Sequence, residues 1–189
     1  MAVLILGLVL FLGGHAARIA APRWREAIAA RLGEGPWKGL YSLVALVGLV
    51  LAIWGYGIAR RDPVILYVPP IGLRDVTFLL MAFVFPLLIA TYSSGWIKSR
   101  VRHPMLATVI VWAVAHLLAN GTLADLLLFG GFLLWAVLDL VSVSRRPHRP
   151  PEPEPWGPGD SLAIFAGMIL YGVFLFWAHE ALIGVRPIV

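Results

Sequence analysis

Six apolar segments, each near the ~20 residues that a helix needs to cross a bilayer, divide almost the whole of this 189-residue chain. They run over about Met1–Ala20, Lys38–Ala59, Asp75–Tyr92, Pro104–Ala119, Thr122–Val143 and Asp160–Ile183. Hydrocarbon offers the backbone no hydrogen-bond partner, so spans in lipid must be helices unless a sheet closes on itself. The chain is therefore predicted to be all-α: one domain over 1–189, a polytopic membrane bundle of about six transmembrane helices with the lipid bilayer as its solvent. Composition agrees, with 60% of residues hydrophobic and 13% charged, against roughly half and a quarter in soluble domains. A water-soluble globule, a disordered chain and a collagenous repeat are excluded.

The segment ends carry their own chemistry. No basic stretch precedes Met1–Ala20 and no small-residue cleavage site follows it, so it reads as a retained helix rather than a signal peptide. Trp24, Ile28 and Leu32 recur at helical spacing among Arg23, Arg25 and Arg31 and stop at Gly33, as in a short interfacial helix lying on headgroups between the first two spans. Pro104 suits a first helical position. Asn120-Gly121 breaks the chain, and Thr122 with Asp125 resembles a capping box, so the fourth and fifth spans form a helical hairpin. Pro86 should kink the third span. The proline-rich stretch from Pro147 to Pro158 reads as an extended, exposed linker.

The net charge of +5 would suggest nucleic acid in a soluble protein. Here the cations sort by loop instead. The loops after the first, third and fifth segments hold 11 of the 15 lysines and arginines, and the opposite side holds Arg60, Arg61, Arg74 and Arg186. Basic loops stay cytoplasmic, so both termini are expected outside, periplasmic in a bacterial inner membrane, with no nucleic-acid partner.

Ionisable residues within a span are costly and point to function. The chain has no cysteine, which removes disulfides and thiolate ligands and leaves histidine as the candidate ligand. His15 follows Gly13-Gly14, and His116 lies between Trp112 and Asn120, each four residues away. Two histidines from different helices can hold a haem iron within a bundle. The glycines would let a flat macrocycle approach the backbone, Arg18 could pair with a propionate, and Trp112 could wall the site. The null alternative is that each histidine bonds a neighbouring helix. Depth separates the pair: at 1.5 Å per residue, His116 lies roughly 18 Å and His15 roughly 8 Å from the basic side, which makes His103, at the start of the fourth span, an alternative partner. His148 is expected to be solvated in the linker, and an interfacial position accounts for His179. Asp139 could be neutralised by Lys98, Arg100 or Arg102. No paired carboxylates, phosphate loop, zinc spacing or serine elbow is present.

These residues carry a resemblance over almost the whole chain. Gly14-His15, Gly39-Leu40-Tyr41-Ser42-Leu43-Val44-Ala45, Trp54-Gly55-Tyr56, Arg102-His103-Pro104-Met105, Trp112-Ala113-Val114-Ala115-His116 with Asn120-Gly121, and His179 resemble the NnrU family of bacterial inner-membrane proteins, related to zeta-carotene isomerase. The resemblance implies a membrane protein of denitrification and nitric oxide metabolism. By the isomerase branch it implies haem b, with His15 and His116 as axial ligands and His103 as a further functional histidine. In that branch a cysteine three residues before the later histidine is tied to ligand exchange, but Ala113 stands there in this chain. The expected ligands are nitric oxide or a lipophilic small molecule, and a membrane protein partner is an option. Three alternatives to the nitrogen-oxide reading are kept: a haem-dependent carotenoid cis–trans isomerase, a non-catalytic structural membrane subunit and, more distantly, a membrane methyltransferase with a start like Arg102-His103-Pro104.

Overall fold

The computed structural model describes residues 1–146 and 152–188; the side chains of Arg18 and Pro22 lie outside the described set. Among the described residues every regular element is helical, in the order α1 (Ala2–Ala20), α2 (Pro22–Leu32), α3 (Glu34–Ala59), α4 (Leu73–Ala90), α5 (Trp96–Val101), α6 (Pro104–Ala119), α7 (Leu123–Ser144), α8 (Pro158–Val173), a π turn (Phe174–Ala178) and α9 (His179–Ile183). The chain is all-α. Four stretches are long and apolar enough to cross a membrane: Glu34–Ala59, Leu73–Ala90, Leu123–Ser144 and Pro158–Ile183. Pro104–Ala119, the fourth expected span, is apolar but shorter, and the first coincides with the 19-residue helix α1, apolar over Ala2–Ala17.

Burial is inverted relative to a soluble protein. Apart from a few large residues such as Leu4, Leu106 and Phe129, the buried apolar positions are chiefly alanines, while Ile53, Trp54, Phe165 and Trp177 are each at least 60% exposed. Small residues let helix backbones approach closely, and large side chains can then face lipid tails.

Two compact units build the chain, residues 1–68 with 121–143, and residues 69–120 with 144–189. In the first, α1 lies against α3 along Gly48, Ala52, Gly55 and Ala59. A Cβ on Gly55 would stand 2.3 Å from the Leu4 amide nitrogen, and one on Gly7 would stand 2.2 Å from that of Ala52. The residues leading into α7 pair with the segment after α3: Leu66 N donates to Gly121 O at 2.8 Å, and Leu123 N to Val64 O at 2.8 Å. The expected capping box is present. Thr122 N donates to Asp125 Oδ2 at 2.9 Å and Asp125 N to Thr122 Oγ1 at 3.2 Å. The other carboxylate oxygen takes the Tyr56 hydroxyl proton at 2.5 Å.

α2 forms where the arginine-flanked pattern expected a helix, and Gly33 ends it with φ 86°, a conformation that suits glycine. Trp24 and Leu32 remain exposed. α3 begins four residues before the expected Lys38. Pro36 falls in its first turn, where proline is tolerated, and Lys38 Nζ bonds Glu34 at 2.8 Å.

In the second unit, α4 packs against both α6 and α8. The helix runs through Pro86, and Gly167 of α8 seats directly on that proline: a Cβ there would stand 2.5 Å from Pro86 N. Thr77 Oγ1 donates to Ala115 O at 2.9 Å, and the Tyr171 hydroxyl to Phe78 O at 2.8 Å. Asp160 ties α5 to α8. Its buried carboxylate accepts the backbone N–H of Trp96 (2.9 Å), Ile97 (2.8 Å) and Gly157 (2.9 Å). Gly95, at φ 142°, makes room for it. The linker expectation is described in part: residues 152–156 are exposed and irregular, while residues 147–151, His148 among them, lie outside the described residues.

Candidate functional site

His15 sits on α1 in an aromatic box within the first unit. Its ring lies 4.5 Å from Phe11, 5.4 Å from Tyr41 and 5.6 Å from Trp135, centroid to centroid. Its Nδ1 stands 2.7 Å from Phe11 O. A carbonyl only accepts, so Nδ1 carries the proton and Nε2 presents the lone pair. That is the state in which a histidine binds a metal, with the second nitrogen oriented by a carbonyl. A Cβ on Gly13 would meet nothing, and one on Gly14 only Tyr41 at 3.8 Å, so neither glycine is demanded by packing. Edge-on to His15, the buried Trp135 Nε1 has no acceptor among the described residues, and Asp139 Oδ1, one turn along α7, has no donor.

His116 repeats the arrangement on α6 in the second unit. Its Nδ1 lies 2.8 Å from Trp112 O, which fixes the same tautomer, and Asn120 Nδ2 donates to His116 O at 2.9 Å. The Trp112 ring lies tilted against the imidazole, 5.2 Å centroid to centroid. The expected pairing of Trp112, His116 and Asn120 on one helix face is present. Ala113, where the isomerase branch has cysteine, is fully buried.

His116 also lines a cavity of about 430 Å³ held within the second unit. Phe78, Met81 and Phe85 of α4 form one wall, Tyr171, Phe174 and Leu175 another. Arg74, Asn120, His179 and Arg186 complete it. His179 Nδ1 is 2.8 Å from Val185 O, so its Nε2 also carries the lone pair. Arg74 Nη2 donates to Pro187 O at 2.9 Å, and Arg186 Nε to Glu180 at 2.6 Å. The hydrogen bond to Glu180, and then its charge, raise the Arg186 pKa further above its already high value.

The remaining expected residues are placed separately. His103 occupies the N-cap position of α6 without a side-chain capping bond, thirteen residues before His116. The Arg18 side chain lies outside the described residues. Lys98 Nζ donates to Thr91 O at 2.9 Å and the Arg100 guanidinium stands 5.8 Å over Trp96. Among the described residues no group of three or more metal-binding side chains forms.

Sequence reasoning missed His179, Arg74, Tyr171 and Arg186 as neighbours of His116. The spacing of Arg74, Phe78, Met81 and Phe85 was a readable helical stripe. The π turn was not readable: His179 N donates to Phe174 O, five residues back, which widens the helix and brings both onto the cavity wall.

The family model described as NnrU protein matches residues 3–187, and the chain belongs to that family. With its apolar spans, it is a membrane protein of NnrU type. No curated protein and no solved structure matches it.

Proposed function

From that membership, we propose that the protein is a multi-pass haem b protein of the bacterial inner membrane, with both termini periplasmic, acting in nitric oxide metabolism during denitrification. One observation carries the haem reading. His15 and His116 each hold Nδ1–H against the carbonyl four residues earlier, at 2.7 and 2.8 Å, which orients the imidazole and puts its lone pair on Nε2, the protonation state a metal ligand requires. Beside His15, the buried Trp135 N–H has no acceptor among the described residues and suits a group with acidic substituents. The ligand pair itself rests on the family resemblance: His15 and His116 are its candidate iron ligands, and within each unit Phe11 O and Trp112 O would fix their tautomers, with Trp112 beside one imidazole. When bound, haem b supplies one-electron chemistry and an iron that binds nitric oxide. A haemochrome assay on the purified protein tests this reading. Haem b in the wild type, lost in both His15→Ala and His116→Ala, supports it; protein that stays haem-free after reconstitution rejects it.

The cavity beside His116 favours a second reading, a haem-dependent isomerase of a lipophilic polyene, because Phe78, Met81, Phe85, Phe174 and Leu175 give it an apolar interior. Turnover of a cis-carotenoid that Met81→Trp abolishes without loss of haem would select it.

A further inference from the structure

The same cavity has two chemically distinct ends, and together they specify an occupant. α4 and α8 run antiparallel, with Gly167 at Pro86 and Tyr171 at Phe78. Along α4 the wall passes from Arg74 through Phe78 and Met81 to Phe85, a depth of roughly 16 Å at the helical rise. Phe85 and Phe174 meet at 5.0 Å at the deep end. At the other end stand two exposed guanidinium groups, Arg74 and Arg186, with His179 and Asn120 beside them. Among the described residues the wall contains no Asp or Glu.

The charges at this end are not balanced. Arg186 is paired with Glu180, whereas Arg74 is held by the neutral carbonyl of Pro187. Among the described residues no ion pair includes Arg74, whose charge stands at the rim of an apolar slot. A neutral hydrocarbon would engage only the aromatic interior, and a small soluble anion only the basic rim, whereas one amphipathic molecule engages both. The π turn adds a separate observation. It falls on the cavity wall, where such turns recur at functional sites, and its wide step presents Phe174 to the interior and His179 to the rim.

We infer that this cavity binds an apolar molecule bearing a carboxylate, its body between α4 and α8 and its carboxylate between Arg74 and Arg186. Guanidinium is the cation best matched to a carboxylate, because its fork can donate two parallel hydrogen bonds. Two molecules carry this chemistry: a single-chain lipid acid, and a haem through its propionates. Only the haem source rests on the function proposed above.

The test uses the full chain in lipid nanodiscs with two pairs of probes. One pair is dansylaminoundecanoic acid and its methyl ester; the other is haem b and its dimethyl ester. Charge-assisted hydrogen bonding predicts that the acid of the responsible pair binds about tenfold or more tighter than its ester. That preference should vanish in Arg74→Gln/Arg186→Gln and return in Arg74→Lys/Arg186→Lys, and Met81→Trp should block binding of that pair's acid and ester alike. Preference within the dansyl pair identifies a lipid acid, even in a protein that takes up no haem, and so survives failure of the haem reading. Preference within the haem pair identifies the propionates. Acid and ester binding alike in both pairs, or a preference unchanged in the Gln variant, would overturn the inference.

Discussion

Replacing Asp160 should uncouple the starts of two helices at once. Its carboxylate accepts three backbone N–H groups, from Trp96, Ile97 and Gly157, and is 1% exposed. Hydrogen bonds to a charged partner contribute about 1.5–3 kcal/mol each, and an orphaned buried donor costs about 1–3 kcal/mol. Asparagine keeps one acceptor oxygen, which can serve Trp96 and Gly157 as Oδ2 now does. Its amide then faces the Ile97 N–H, donor against donor. One charged bond is lost and two weaken to neutral strength, for a total of about 3–5 kcal/mol. Alanine removes all three and should cost more. The assay is thermal unfolding in mild detergent followed by circular dichroism, with Trp96 and Trp156, 6.3 Å apart beside the carboxylate, as local fluorescence reporters. A large drop in midpoint for Asp160→Asn and a larger one for Asp160→Ala are expected. Midpoints at the wild-type value in both variants would refute the reasoning.

Three further outcomes follow from the packing and the charge pattern. Gly55→Ala should destabilise by about 1–3 kcal/mol through overpacking, since its Cβ would overlap Leu4, whereas Gly57→Ala meets nothing and should be neutral or stabilising; paired unfolding midpoints check both. Tyr56→Phe removes the donor at Asp125 Oδ1 and should cost about 1–3 kcal/mol, read by denaturation in SDS. Because the chain has no cysteine, single introduced thiols report topology: Arg61→Cys should react with an impermeant maleimide from the periplasm, and Arg31→Cys only after lysis. The reverse pattern would invert the proposed orientation.

Local chemistry was legible where neighbours in sequence are neighbours in space. Pro104 opens α6, Gly33 closes α2, and Thr122 with Asp125 caps the start of α7, each a contact spanning a few residues. The α1–α3 contact was readable from Gly48, Ala52, Gly55 and Ala59, a small-residue spacing that marks close helix packing. What stayed hidden depends on distant partners. α5 is six residues long and is tied at its start by a carboxylate more than sixty positions away. The start of α3 was obscured by Gly35 and Pro36, breakers in mid-helix but acceptable in a first turn. The histidines were legible as residues and not as a site. Their spacing identified Trp112 and Asn120 around His116, but the cavity with His179 and the arginines depends on a π turn that no sequence period encodes.

Electron paramagnetic resonance of the oxidised protein tests ligation by His15 and His116 most directly. The expected result is a low-spin haem signal of two imidazole ligands in the wild type. It should give way to high-spin haem or to loss of haem in His15→Ala and in His116→Ala, and be restored where added imidazole fills the vacated position. A low-spin signal that persists in either variant, or its loss in His103→Ala with His116→Ala unaffected, would contradict the assignment.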